Sequence, residues 1–155
     1  MKGTPAVIKT LNSLLTSELS AINQYMVHSE MLTLWGYDTL AKAVRERART
    51  EMKHAESLIE RVLLLDGQPN VGVLAPPVRV GVNVQSILES DTAAEVTAVG
   101  AYRNAGVEAV ASKDEVTFTL VASILADEED HLVYLEAQGV QISQMGFENY
   151  LSTIK

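Results

Sequence analysis

Glu51-Met52-Lys53-His54 and Glu128-Glu129-Asp130-His131 place an acid three residues ahead of a histidine, twice in one chain. On a helix, residues three apart share a face, so each pair presents a carboxylate and an imidazole at the separation of one metal ion's ligands. The neighbours of both pairs are helical in pattern. Leu40, Val44, Glu51, His54, Leu58, Val62 and Leu65 advance by three, four or seven, and Val121, Ile124, Glu128, His131 and Leu135 by three or four. The acids and imidazoles therefore interrupt stripes that should face a core. A buried carboxylate without a partner costs several kcal/mol, and a cation is the natural compensation. Two pairs imply two metals.

The remaining segments extend the pattern to an all-α chain. A first helix, about Thr4 to Met31, opens with Thr4-Pro5 as cap and first-turn proline. Its inward stripe through positions 11, 14, 18, 22 and 25 carries Glu18 and Tyr25. Gly36 reads as a stop and Asp38 as the cap of a second helix, Thr39 to Leu65. Asp66 to Asn83, broken by Gly67, Pro69, Gly72, Pro76, Pro77 and Gly81, cannot be helical and reads as a long crossover. It brings the third helix to start at the end where the second began. That helix, about Val84 to Ala111, tolerates Gly100 and Gly106 and carries Glu95 on its stripe with Asp91 and Tyr102. A fourth, about Lys113 to Gln138, is expected to end near Gly139, with a short amphipathic helix from Ser143 to Ser152 beyond it.

Length and composition narrow the chemistry. At 155 residues, 47% of them hydrophobic, the chain suits one domain with one core. It has no cysteine, which leaves oxygen and nitrogen ligands and favours iron or manganese over structural zinc. Its formal charge is −8, without a basic run and with few aromatic residues, so no nucleic-acid footprint is expected. Neither a secretory signal nor a membrane-spanning run is evident, and the expected compartment is the cytoplasm.

Four helices thus each offer inward acid: Glu18 and Glu95 singly, Glu51 with His54, and Glu128 with His131. Two lone glutamates and two Glu-x-x-His pairs are the ligand inventory of di-iron and di-manganese carboxylate bundles. Four carboxylates balance two divalent ions, with one imidazole for each. A lone Glu-x-x-His pair is usually solvated surface; its repetition, with a third and fourth acid on two further helices, is not. Tyr25 and Tyr102 read as core tyrosines with bonded hydroxyls.

The blocks MKG with LNSLLTSELSAINQY, EMKHAESLIERVLLLDGQPN, DEEDHLVYLE and MGFENYL resemble bacterioferritin nearly end to end. That resemblance implies a four-helix bundle with a short fifth helix, assembled into a hollow cage of twenty-four subunits that oxidises Fe(II) and stores a ferric mineral. It implies a ferroxidase centre of Glu18, Glu51, His54, Glu95, Glu128 and His131, with Glu51 and Glu128 bridging, and Tyr25 as an electron source. It also implies that Met52, on an outer face of its helix beside Leu19, Ile22, Asn23 and Met26, is an axial ligand of haem b between two subunits. The oxidant would be dioxygen or peroxide, and a ferredoxin-type donor would serve iron release. The cage would be a homo-oligomer or be mixed with a second ferritin subunit.

The chain departs from the family in its Pro- and Val-rich crossover and in Arg45, Glu46 and Thr50, near the expected haem edge and inner surface. The alternatives are a non-cage di-iron or di-manganese oxidase or catalase on the same bundle, and a cage subunit whose metal site is inactive.

Overall fold

The computed structural model describes residues 2–155. Four long helices, α1 (Pro5–Leu34), α2 (Asp38–Leu64), α3 (Val84–Ala111) and α4 (Glu115–Met145), form the bundle, and a short α5 (Phe147–Thr153) follows. No strand occurs among the described residues. The expected all-α bundle with a short fifth helix is therefore the observed fold.

Local chemistry sets most helix ends. The Thr4 side chain accepts from the Val7 amide, with Pro5 in the first turn, and Gly36, at φ +81°, turns the chain out of α1. Asn83 and Ser86 form a reciprocal capping box at the start of α3. Asp114 caps α4 by accepting from the Thr117 amide and hydroxyl, at 2.9 and 2.7 Å. Several boundaries differ from expectation, α1 for instance running three residues past Met31 to Leu34. Asp38 is the first residue of α2 rather than its cap; Tyr37 stands at the cap position and makes no side-chain bond to the helix. Helix α4 runs through Gly139 to Met145, because a helix already packed along one side absorbs the roughly 1 kcal/mol that an interior glycine costs. The chain breaks instead at Gly146, whose φ of +80° suits a residue without a Cβ, and α5 begins at Phe147.

The crossover is held by one row of residues on α1. Asn12, Thr16, Ser20, Gln24 and His28, spaced four apart on α1, each bond to it. Asn12 Nδ2 donates to the Gln68 carbonyl, and its Oδ1 accepts from the Asn70 amide. The Thr16 carbonyl accepts from the Ala75 amide, and Ser20 Oγ donates to the Pro76 carbonyl at 2.5 Å. Gln24 Oε1 accepts from the Arg79 amide at 3.0 Å, and His28 Nε2 from the Gly81 amide at 2.9 Å. Both series ascend, so the segment runs parallel to α1 and delivers α3 to the end where α2 began. At Gly81 the packing leaves no space for a side chain: a Cβ would lie 2.6 Å from the Ile87 nitrogen.

Two apolar layers fill the bundle. One contains Leu11, Leu15, Leu58, Val62, Tyr102, Val121 and Ile124; the other contains Tyr25, Leu32, Leu40, Val44, Ile87, Leu135 and Tyr150. Each fully buried aliphatic side chain contributes about 1.5 to 3 kcal/mol, so these layers fix the helices' mutual rotation. Helix α5 joins the second layer through Tyr150, whose hydroxyl donates to Gln138 Oε1 at 2.9 Å. Between the layers lies a polar belt.

Asp114 links α4 to α2. Burial alone would raise its carboxyl, but the bonds from Thr117 and the Arg61 guanidinium, 2.7 Å away, hold it below the ordinary carboxylate value. Its contribution is therefore complete above the unfolded pKa, near 3.9, and disappears as pH falls through the lower folded value. Asp114→Ala should cost about 1 to 2 kcal/mol in urea melts at neutral pH. The gap from wild type should narrow in acid.

Candidate metal centre

All six sequence-selected ligands converge in the belt between the two apolar layers. Glu18, Glu51, His54, Glu95 and Glu128 are buried and His131 nearly so. Each comes from the inward stripe of its helix, so the same periodicity that packs the leucines brings these donors together. Two overlapping groups could hold metal ions. Donor atoms of Glu18, Glu51, His54 and Glu128 lie within 4.8 Å of one another, as do those of Glu51, Glu95 and His131. Glu51 is common to both, the position of a bridging carboxylate.

The donors approach one another without saturating their hydrogen bonds. Glu18 Oε2, Glu51 Oε1, Glu128 Oε1 and His131 Nδ1 are buried without an aligned hydrogen bond, although Glu51 Oε1 is 2.6 Å from Arg47 Nε, His131 Nδ1 is 2.8 Å from Glu95 and Glu128 Oε1 is 3.0 Å from His54 Nδ1. Proximity without alignment suits atoms aimed at a common point rather than at each other.

Three of the candidate ligands, Glu95, Glu18 and His54, are anchored by a further side chain. The Tyr25 hydroxyl donates to Glu95 and the Tyr102 hydroxyl to Glu18. Burial, reinforced by the adjacent carboxylates, raises both phenols well above their ordinary value, so both remain neutral donors. Both tyrosines have the bonded hydroxyls expected of them. His54 Nε2 lies 3.2 Å from the Asp127 carboxylate, leaving Nδ1 for the centre. Asp91, one helical turn before Glu95, belongs to neither donor group: its Oδ1 accepts from Gln24 Nε2 at 2.8 Å and faces His28 Nδ1 at 2.9 Å. Since His28 Nε2 accepts from Gly81, its Nδ1 carries the proton given to Asp91.

The helical pattern also contained a residue that a search for ligands passes over. Arg47, only 7% exposed, lies one turn before Glu51 on the inward stripe. Its Nε is 2.6 Å from Glu51 Oε1, and its Nη2 is 2.6 Å from Glu128 Oε2 and 3.3 Å from Glu95 Oε2. The signal was the gap between Val44 and Glu51 in the stripe, which a helix must fill at position 47 or 48. Electrostatics reflect this crowding. Burial pushes the Glu51 and Glu128 carboxyls up. For His54 burial acts downward, but bonds to Glu128, Glu18 and Glu51 prevail and lift it to about 12. Glu95 moves the other way: burial is outweighed by bonds to His131 and Glu128 and by Arg47, and its carboxyl is held low.

The Ferritin-like domain family matches residues 8–145. Curated relatives match almost the whole chain. A bacterioferritin of Streptomyces coelicolor is 44% identical over 155 residues, covering 99% of this chain and 92% of that protein. Those of Mycolicibacterium paratuberculosis and Brucella melitensis are each 41% identical over 150 residues, covering 97% of this chain and 94% and 92% of theirs. The chain belongs to the bacterioferritin family. Among its described residues no helix is long and apolar enough to cross a membrane.

Met52, singled out by the family resemblance, points away from the centre and is 45% exposed, as its position one residue beyond Glu51 requires. Met26 on α1 is 47% exposed, and Leu19 and Asn23 are half-buried. Ile22 instead joins the buried core, so the surface beside Met52 is smaller than expected. Arg45 pairs with Glu30 at 3.1 Å.

The shared position of Glu51 yields a test with Co(II) as a spectroscopic probe. Wild type should bind two ions tightly per chain. Glu51→Gln should weaken both by more than about a hundredfold, whereas His131→Ala should weaken one. Equal losses in the two variants would contradict the two overlapping groups.

Proposed function

We propose that this bacterioferritin stores iron, oxidising Fe(II) at the six-ligand centre and passing Fe(III) to a mineral inside a cage of twenty-four chains. The carrying observation is the set of converging, unsatisfied buried donors with Glu51 common to both groups. Carboxylate and imidazole donors suit Fe(II) and suit Fe(III) better, so the site favours the oxidised product electrostatically.

Fe(II) is the substrate. In the metal-free chain the Glu51 and Glu128 carboxyls and the His54 imidazole hold protons more firmly than usual, and substrate binding displaces them. Glu18 and Glu95 then serve as terminal ligands, Glu51 and Glu128 as bridges, and His54 and His131 complete one metal each. Two Fe(II) give up one electron apiece. With two protons these reduce dioxygen to hydrogen peroxide, or hydrogen peroxide to two waters. Where only one Fe(II) is bound, Tyr25 supplies the second electron and its phenolic proton passes to Glu95, with which it is already hydrogen-bonded. Tyr102 and Asp127 orient Glu18 and His54 throughout.

The residues around Met52 fit a haem. An exposed thioether on α2, on a face not used by the bundle core, can be shared with the same residue of a second chain. Bound there, haem would supply one-electron transfer for reducing the stored mineral, with a ferredoxin-type protein as donor. The acidic chain, at −8, would draw cations toward such a cage. The cytoplasm is the compartment that fits this store.

Size-exclusion chromatography should show a particle of several hundred kDa; a small oligomer would favour the non-cage oxidase. Replacing Glu18 and Glu128 together by Ala should slow Fe(II) oxidation, followed by ferric absorbance, by about a hundredfold or more. Wild-type rates in that variant would remove the ferroxidase. Met52→Leu should abolish the Soret band of the purified protein and leave oxidation rates unchanged.

A further inference from the structure

On the reading of the centre as a site for Fe(II), we propose that Arg47 is a built-in competitor for metal, its guanidinium holding three of the ligands together and leaving toward solvent when metal enters. The contacts carry this. Arg47 touches Glu51, Glu95 and Glu128, which include the carboxylate common to both groups, at distances of 2.6, 3.3 and 2.6 Å. Arg47 Nε lies against Glu51 Oε1, one of the converging donor atoms, and Nη2 covers the Oε2 atoms of Glu95 and Glu128, while an arginine in a protein does not lose its charge by deprotonation. Metal can reach those oxygens only if the side chain moves.

The structure also supplies the place to which it moves. Arg47 stands at the inner end of a solvent-open recess of about 470 Å³ between α2 and α4, bordered by Thr50, Lys53, His54, Asp127, Asp130 and His131. Its Nη1 is already 3.4 Å from the Asp127 carbonyl oxygen. Asp127, 56% exposed, and Asp130 offer carboxylates in the recess itself. Rotation about the side-chain bonds exchanges a buried ion pair for a solvated one without moving the helix.

Two consequences follow. The metal-free centre stays assembled, because one guanidinium ties together acidic groups from three helices. Metal affinity is lowered at the same time, since metal entry must displace one bound cation, and a ferric product meets a competitor ready to return. Arg47 thereby biases the centre toward passing iron through rather than keeping it. Arg47 is a positioning residue, acting through the ligands, and takes no part in electron transfer.

Co(II) titration of the assembled protein tests this without turnover. Arg47→Gln should bind Co(II) at the Glu51-dependent sites at least about tenfold more tightly than wild type, and Arg47→Lys, which keeps a cation, should fall near wild type. Unchanged or weaker binding by Arg47→Gln in a protein that elutes like wild type would overturn the proposal. Should Arg47→Gln fail to assemble, the decision passes to a crystal structure of wild type soaked in Co(II). A guanidinium withdrawn into the recess supports the exchange; one still bonded to Glu51 and Glu128 beside bound metal overturns it. Absence of any Glu51-dependent Co(II) binding in wild type would instead sink the metal centre itself.

Discussion

Burial of four glutamates at one level of a helical bundle is the constraint on which the rest of the structure depends. Carboxylates crowded in a poorly solvated belt repel one another and lose hydration, a cost of several kcal/mol per uncompensated charge. The chain answers in three ways before any metal arrives. Arg47 brings a permanent positive charge among Glu51, Glu95 and Glu128, His54 gains a proton through its carboxylate neighbours, and burial keeps protons on Glu51 and Glu128. On the proposed reading each gives way to a divalent ion, so that the belt is stable yet receptive.

Such a belt survives because the layers on either side do not need it. Leu58, Val62 and Ile124 on one side, and Leu40, Val44 and Leu135 on the other, lock the rotation of α2 and α4 independently. The ligands inherit their positions from this packing, and the tyrosines refine them: Tyr25 from α1 to Glu95 on α3, and Tyr102 from α3 to Glu18 on α1. This pair of bonds crosses the same helix interface in opposite directions. Loosening either helix would disturb one carboxylate from each group.

The legible part of the sequence was whatever repeated at helical spacing. The stripes placed Glu18, Glu51, His54, Glu95, Glu128 and His131 before any coordinate was known, since no other inward face accommodates them. Asp91 shared a stripe with Glu95, and only its partners Gln24 and His28, distant in sequence, distinguish a bracing carboxylate from a ligand. Arg47 was invisible to a search for ligand types, because its meaning depends on three acids from three helices. The polar row Asn12, Thr16, Ser20, Gln24 and His28 had the period of a helix face, but its partners are mostly backbone groups of an irregular segment, which side-chain identity does not encode. The end of α4 was misplaced at Gly139 for a similar reason: a glycine ends a helix only where its backbone turns, and Gly146 is where that happens.

The absent side chain at Gly81 reaches further than its own loop. Within three residues the irregular strap becomes α3, and the tight fit against Ile87 sets the azimuth at which that helix starts to wind. Each residue of a helix turns by about 100°, so a register slip of one position at this junction would carry Glu95, about three turns downstream, out of the belt and away from His131. One missing carbon in the packed strap thus acts as the clock setting of a buried carboxylate.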